Sequence, residues 1–88
     1  MTVYSINYDL KKPGRNYTGL YAAIKGFEAW AHPLESTWLV STALTASDIQ
    51  KRLLSEIDEN DSLLVLEAGR DYAGWLPEKM WSWLRQAA

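Results

Sequence analysis

The chain has 88 residues, of which 48% are hydrophobic and 23% charged, and this predicts one folded domain spanning residues 1–88. It has no cysteine and one histidine, which excludes a disulfide framework, thiol catalysis, a cysteine-based metal site and a two-histidine metal site within one chain. The net charge of −2 gives no general attraction to nucleic acid, so binding there requires a local basic patch.

The first ten residues predict a strand that ends beside a basic loop. Apolar and polar side chains alternate from residue 2 to residue 10, which is the period of a strand with one face in a core. Pro13 and Gly14 then form a turn signal, because proline has no N–H for a ladder and glycine accepts a positive φ. Asp9 therefore stands at the carboxyl end of this strand. Tyr4, Ile6, Tyr8 and Leu10 share the apolar face, and Ser5, Asn7 and Asp9 share the opposite face.

A helix and a hairpin follow. Asn16 is the predicted N-cap of a helix that runs to Lys25, with an apolar stripe at helical spacing. A short run, 28–32, ends at Pro33, and a second run, 37–42, is rich in residues that suit sheets; together they predict two strands joined by a turn around residues 33–36.

The second half of the chain predicts a helix, a strand and a final helix. Thr45 and Asp48 resemble a capping box at the start of the second helix, which the polar run 58–61 ends. Residues 62–67 are a short continuous apolar run, which is typical of a strand covered on both faces. Pro77 suits the first position of the final helix. The predicted buried face of that helix consists of Met80, Trp83, Leu84 and Ala87.

This order of elements predicts an α+β, ferredoxin-like fold. Two βαβ halves joined by a hairpin give a βαββαβ core over residues 1–67, with an antiparallel four-stranded sheet and two helices on one face. Residues 68–88 form a tail with a tryptophan-rich helix. The second face of the sheet, which carries Asp9, is open unless the tail or a second chain covers it, and this favours a homodimer.

Several of these segments carry a resemblance to a known family. They are the strand ending in Tyr8-Asp9, the amphipathic helix ending near residues 26–27, and the hairpin strand at residues 36–40. In this order and length they resemble the ferredoxin-fold superfamily that contains the CRISPR-adaptation endoribonuclease-like protein and the virulence-associated protein D toxins. The chain more closely resembles a branch of short uncharacterised bacterial and phage proteins labelled SinR-like. The resemblance covers residues 2–67.

The resemblance implies a homodimeric, metal-dependent endoribonuclease that acts on RNA or DNA. In that superfamily the acid that ends the first strand, here Asp9, pairs with its symmetry mate around Mg²⁺ or Mn²⁺. A hard cation prefers such carboxylate oxygens and would activate water at a phosphodiester. Lys11, Lys12 and Arg15 would contact phosphates. The adaptation proteins usually carry a denser basic set here, and some of them bridge DNA without nuclease activity.

Each of these candidate residues also has a structural interpretation. Asp9 is also interpretable as a solvated strand-end acid that caps a turn, and the three basic residues are interpretable as an ordinary polar loop. His32 is a candidate proton donor near neutral pH, but a lone histidine beside two tryptophans more often has a structural role.

A second function class therefore stays open, a non-catalytic protein-interaction module. Trp75, Trp81 and Trp83 are predicted interface residues, because aromatic side chains are enriched at interfaces and Trp81 lies off the predicted buried face. Such a module, antitoxin-like, phage-encoded or regulatory, would bind another protein through its sheet edge and its tryptophan-rich tail.

The sequence predicts a cytoplasmic protein that does not associate with a membrane. No apolar run approaches the ~20 residues of a membrane-spanning helix. The first residues lack the pattern of a signal peptide.

Overall fold

The computed structural model describes residues 1–12 and 16–87 and has the predicted ferredoxin-like α+β architecture. The sheet is antiparallel throughout, in the order β2-β3-β1-β4, so that β1 is central and β2 and β4 form the two edges. The predicted turn at Pro13 and Gly14 lies outside the described residues. The elements are β1 (Thr2–Asp9), α1 (Thr18–Lys25), β2 (Ala29–Leu34), β3 (Thr37–Thr42), α2 (Ala46–Leu54), β4 (Ser62–Glu67) and α3 (Glu78–Ala87).

The main core lies between the sheet and the helices α1 and α2. The predicted apolar face of β1 contributes to it, and both helices turn their stripes toward the sheet. Burial of this apolar area is the dominant favourable term in folding. The fully buried side chains of this core include Ile6, Leu20, Ile24, Val40, Ile49 and Leu53.

The start of α2 confirms the predicted capping box. The Thr45 hydroxyl accepts a hydrogen bond from the Asp48 N–H at 3.1 Å, and the Asp48 carboxylate accepts one from the Thr45 N–H at 3.2 Å. Each bond satisfies a donor that the first turn of a helix leaves without an intrahelical partner. The hydrogen bonds with Thr45 also hold the pKa of Asp48 below its usual value.

The tail covers its own sheet. Helix α3 packs on the face opposite α1 and α2, where Leu84 is buried against Val3, Ala31 and Leu39. The Ser41 hydroxyl donates a hydrogen bond to the Ala87 carbonyl at 3.3 Å and joins the end of the helix to β3. The predicted buried face of this helix is confirmed, since its other members also pack in this second cluster.

Several element boundaries differ from the prediction by one or a few residues. Helix α1 begins after Tyr17 rather than Asn16, although the Asn16 side chain still accepts a hydrogen bond from the Thr18 N–H at 2.9 Å. Strand β2 continues through Pro33, which is tolerated because β2 is an edge strand with an irregular register there. Helix α2 ends at Leu54, where the following turn forms i→i−3 hydrogen bonds.

Strand β4 is covered on one face only, so the prediction of two covered faces was wrong. Leu63 and Val65 pack toward the helices, whereas Leu64 and Leu66 are 55% and 51% exposed on the other face. The reason is that α3 lies over the side of the sheet formed by β2 and β3 and leaves the side of β4 open. Within the described part of the chain, no helix has the length and apolar character needed to cross a membrane.

Candidate functional site

Asp9 lies at the carboxyl end of β1, as predicted, with an exposed carboxylate. Its Oδ2 atom is 3.4 Å from the Lys11 ammonium. It borders an open cavity of about 280 Å³ that is also lined by Asn7 and Ser62. The sheet thus places a carboxylate, an amide and a hydroxyl at one corner.

The basic residues near Asp9 are paired with acids of the same chain. Lys11 pairs with Asp9, and the Lys12 ammonium is 3.6 Å from the Asp58 carboxylate. The exposed Lys11–Asp9 pair contributes little stability, but both pairs lower the positive charge available to a phosphate. Arg15, the third predicted phosphate contact, lies outside the described residues.

The acidic run 58–61 organises the loops at this end of the sheet. The Asp61 carboxylate accepts hydrogen bonds from the Lys11 backbone N–H at 2.7 Å, the Tyr17 hydroxyl at 2.8 Å and the Asp58 N–H at 2.8 Å. It therefore joins the segment after β1, the entry to α1 and the turn before β4. Such charge-assisted bonds are shorter and stronger than neutral ones.

Among residues 1–12 and 16–87, no three His, Asp or Glu side chains are grouped so as to hold a metal ion. Asn7 is held by the sheet, because its amide oxygen accepts from the Thr37 hydroxyl at 2.9 Å and its nitrogen donates to the Ser5 hydroxyl at 3.1 Å. Asp9 is the carboxylate that borders the cavity at this corner.

His32 lies on the other face of the sheet. Its ring stacks on Trp38, with centroids 3.7 Å apart and planes 9° apart, and its Nε2 atom is 3.1 Å from the Glu35 carbonyl oxygen. His32 and Asp9 line different cavities, so the structure does not bring the two predicted catalytic side chains together.

Trp38 is the centre of an aromatic cluster under His32. Its Nε1–H donates to the Tyr8 hydroxyl at 2.9 Å, and that hydroxyl donates to the Glu35 carbonyl at 3.2 Å. Burial raises the pKa of Tyr8 above its ordinary value, and the hydrogen bond from Trp38 acts in the opposite direction. Tyr8 is thus held as a neutral phenol between two partners.

The three predicted interface tryptophans have different environments. Trp75 is 99% exposed. Trp81 is half-buried, stacks on Tyr72 with centroids 6.1 Å apart, and donates its Nε1–H to the Leu76 carbonyl at 3.1 Å. Trp83 is also half-buried and packs in the cluster under α3. The structure therefore presents Trp75 to solvent and engages the other two indoles within the chain.

Among the described residues, no strand pairs with the outer edge of β4, which is a free edge; the sequence predicted binding through a sheet edge without specifying this one. The Tyr8 N–H donates to the Ser36 carbonyl and the Ala68 N–H donates to the Val3 carbonyl, so the odd-numbered residues of β1 face β4. In an antiparallel ladder these bonds alternate along each strand. The residues of β4 whose N–H and C=O groups point away from the sheet are therefore Leu63, Val65 and Glu67.

Two exposed leucines lie along this edge. Leu64 and Leu66 project from the same face of β4, on the part of the sheet that α3 leaves open. The continuous apolar run shows no alternation, so its pattern does not distinguish these leucines from the partly buried Leu63 and Val65. The signal that was available is topological, because a ferredoxin-like βαββαβ arrangement puts its last strand at an edge of the sheet.

A scan against protein-family models, a search of curated proteins and a search of solved structures each found no match to this chain. The superfamily resemblance drawn from the sequence therefore stays a prediction.

Proposed function

We propose that this chain is a non-catalytic protein-interaction module that binds its partner through the free edge of β4 and through Trp75. The observation that supports this most is the edge itself, where outward N–H and C=O groups lie beside the exposed leucines 64 and 66. An unpaired edge is a template for a further strand, since main-chain bonds supply affinity and side chains supply specificity.

Trp75 gives the module a second contact. A tryptophan side chain that is 99% exposed leaves a large apolar area in water. Tryptophan is also enriched among the residues that dominate binding energy at interfaces. Within the tail, the hydrogen bond and stacking that hold Trp81 leave Trp75 presented beside them.

The test is site-specific photo-crosslinking in cells that express the full chain. A crosslinking residue at position 75 is expected to give a discrete adduct, and the same residue at Gln50, an exposed position on α2, is the control. The captured protein is then purified, and its affinity is measured for the wild type and for Trp75→Ala.

The Trp75→Ala variant should bind about tenfold more weakly or worse, which is typical of the loss of an interface tryptophan. Its unfolding free energy should be unchanged, because an exposed side chain contributes little to folding. Equal adducts at positions 75 and 50, or equal affinity of both proteins, would contradict the proposal.

A second candidate function is the metal-dependent endoribonuclease, with Mg²⁺ or Mn²⁺ at Asp9. It is favoured by one observation, the exposed Asp9 carboxylate that borders an open cavity also lined by Asn7 and Ser62. A carboxylate and neutral oxygens are the ligands that these hard cations prefer.

If this second function is correct, the wild type is expected to cleave labelled single-stranded RNA in the presence of Mn²⁺. The cleavage rate of Asp9→Asn should be lower by about a hundredfold or more. Asp71→Asn removes an exposed carboxylate elsewhere and serves as the control. No cleavage by the wild type, or equal cleavage by wild type and Asp9→Asn, removes this candidate.

A further inference from the structure

We propose that the strand bound at the β4 edge is β4 of a second copy of this chain, paired antiparallel about a two-fold axis at Val65. This inference rests on the proposed function, because it names the occupant of the same edge. It follows from the backbone register, the side chains and the charges of β4.

The backbone of β4 is self-complementary about Val65. A two-fold axis there places Val65 opposite its own copy and Leu63 opposite Glu67 of the second copy. These are the residues whose N–H and C=O groups point outward. All of them meet in hydrogen-bonded pairs, which gives on the order of six hydrogen bonds between the chains. A two-fold axis at Leu64 would engage only Leu63 and Val65 and would form fewer bonds.

The side chains of β4 match in the same register. Leu64 of one copy stands opposite Leu66 of the other, in a non-hydrogen-bonded pair where Cα atoms are about 4.5 Å apart. Both leucines are about half exposed in the single chain. The two-fold axis repeats this pair, so four leucines form one apolar patch. Directly opposed apolar side chains are the unit that stabilises a sheet.

The charges of β4 allow this pairing. Residues 62–66 carry no charged side chain, and Glu67 is the single charged residue of the strand. In this register Glu67 stands opposite Leu63, and the two Glu67 residues lie about 14 Å apart along the strand direction. No like charges oppose each other, whereas edges that resist pairing commonly carry inward-pointing charge or lysine.

The resulting dimer has a defined shape. The two sheets become one continuous sheet, with α1 and α2 of both copies on one face and α3 of both copies on the other. Two exposed Trp75 side chains are then available to a further partner. Asp9 pairs with Ser62, three residues from the axis, so the two Asp9 Cα atoms lie roughly 25 Å apart. A single cation cannot join them at that separation.

Disulfide formation between single-cysteine variants tests the register, since the chain has no cysteine of its own. Leu64→Cys and Leu66→Cys are prepared with tags of different mass and are oxidised alone and mixed. The mixture is expected to give the crosslinked dimer, because position 64 of one copy faces position 66 of the other. Each variant alone should give little, because equal positions lie diagonally about 8 Å apart, too far for a disulfide. Crosslinking of Leu64→Cys alone, or none in the mixture, overturns this register.

The strength of the dimer is tested by sedimentation equilibrium of the full chain. Leu64→Lys is compared with Leu34→Lys, whose leucine is equally exposed, at 55%, but lies on the opposite edge strand. The dissociation constant should rise about tenfold or more for Leu64→Lys, because the ammonium enters an apolar contact. It should be unchanged for Leu34→Lys. A wild-type monomer throughout, or equal effects of both variants, overturns the inference.

Failure of this inference is distinguishable from failure of the proposed function. If a photo-crosslinking residue at position 66 captures a different protein, and the chain sediments as a monomer, the strand bound at the β4 edge is not a second copy. The proposed interaction module is then retained. If the chain forms the dimer but gives no adduct at position 75, the pairing of two β4 strands is retained and Trp75 is rejected as a contact of the interaction module.

Discussion

Trp38→Ala is expected to lower the free energy of unfolding by about 4 kcal/mol, since truncating a buried tryptophan costs both the apolar transfer energy and a cavity. Trp38 is 3% exposed, and its ring is stacked by His32 and Tyr21. Its indole also donates to Tyr8. A chain of 88 residues has a total stability of only about 4 to 13 kcal/mol, so this variant should be close to unfolding.

Urea unfolding followed by circular dichroism measures this loss. Trp30→Ala is the matched control, because Trp30 contacts Trp38 with centroids 5.5 Å apart yet is 40% exposed. It should cost about 2 kcal/mol, because Trp30 buries a smaller area and its removal leaves no enclosed cavity. Equal losses in the two variants would show that Trp38 is not the centre of the cluster.

The parts of the fold that sequence predicted are those governed by local rules. The alternation of β1 identified its buried face because successive side chains of a strand point to opposite faces. The Thr45 and Asp48 capping box identified the start of α2 because its two bonds join residues three apart. The hairpin and the four-stranded antiparallel sheet followed from the order of elements along the chain.

The parts that sequence did not predict depend on where distant segments dock. Leu64 and Leu66 stay exposed because α3 lies over β2 and β3 instead of β4. Nothing in the apolar run 62–67 encodes that placement. Asp61 likewise accepts hydrogen bonds from segments far apart in the chain.

The candidate site shows the same division. The position of Asp9 at the end of β1 followed from the strand period. The separation of His32 from Asp9 did not, because His32 follows the irregular register of β2 and stacks on Trp38. The exposure of the tail indoles also depends on tertiary contacts, since Trp81 donates to the Leu76 carbonyl whereas Trp75 is exposed to solvent.

Leu84→Asp is expected to cost about 3 kcal/mol, because it places a carboxylate where a leucine is buried and no partner is provided. Leu84 is the buried residue of α3 and packs against Val3, Ala31 and Leu39. A charge there is relieved when the helix leaves the sheet. The main core on the other face keeps its own contacts, so we expect local release of α3 before global unfolding.

Amide hydrogen exchange measures that release. In Leu84→Asp the amides of α3 should lose protection while those of α2 keep it, and a dye that binds apolar surface should bind the uncovered sheet. Gln86→Asp introduces the same charge into the last turn of the same helix at an exposed position, so it controls for the helix dipole. Unchanged protection of α3 in Leu84→Asp would contradict the docking. With that docking intact, Trp81 and Trp83 stay engaged with their own chain, and Trp75 is the tryptophan of the tail that remains for a partner.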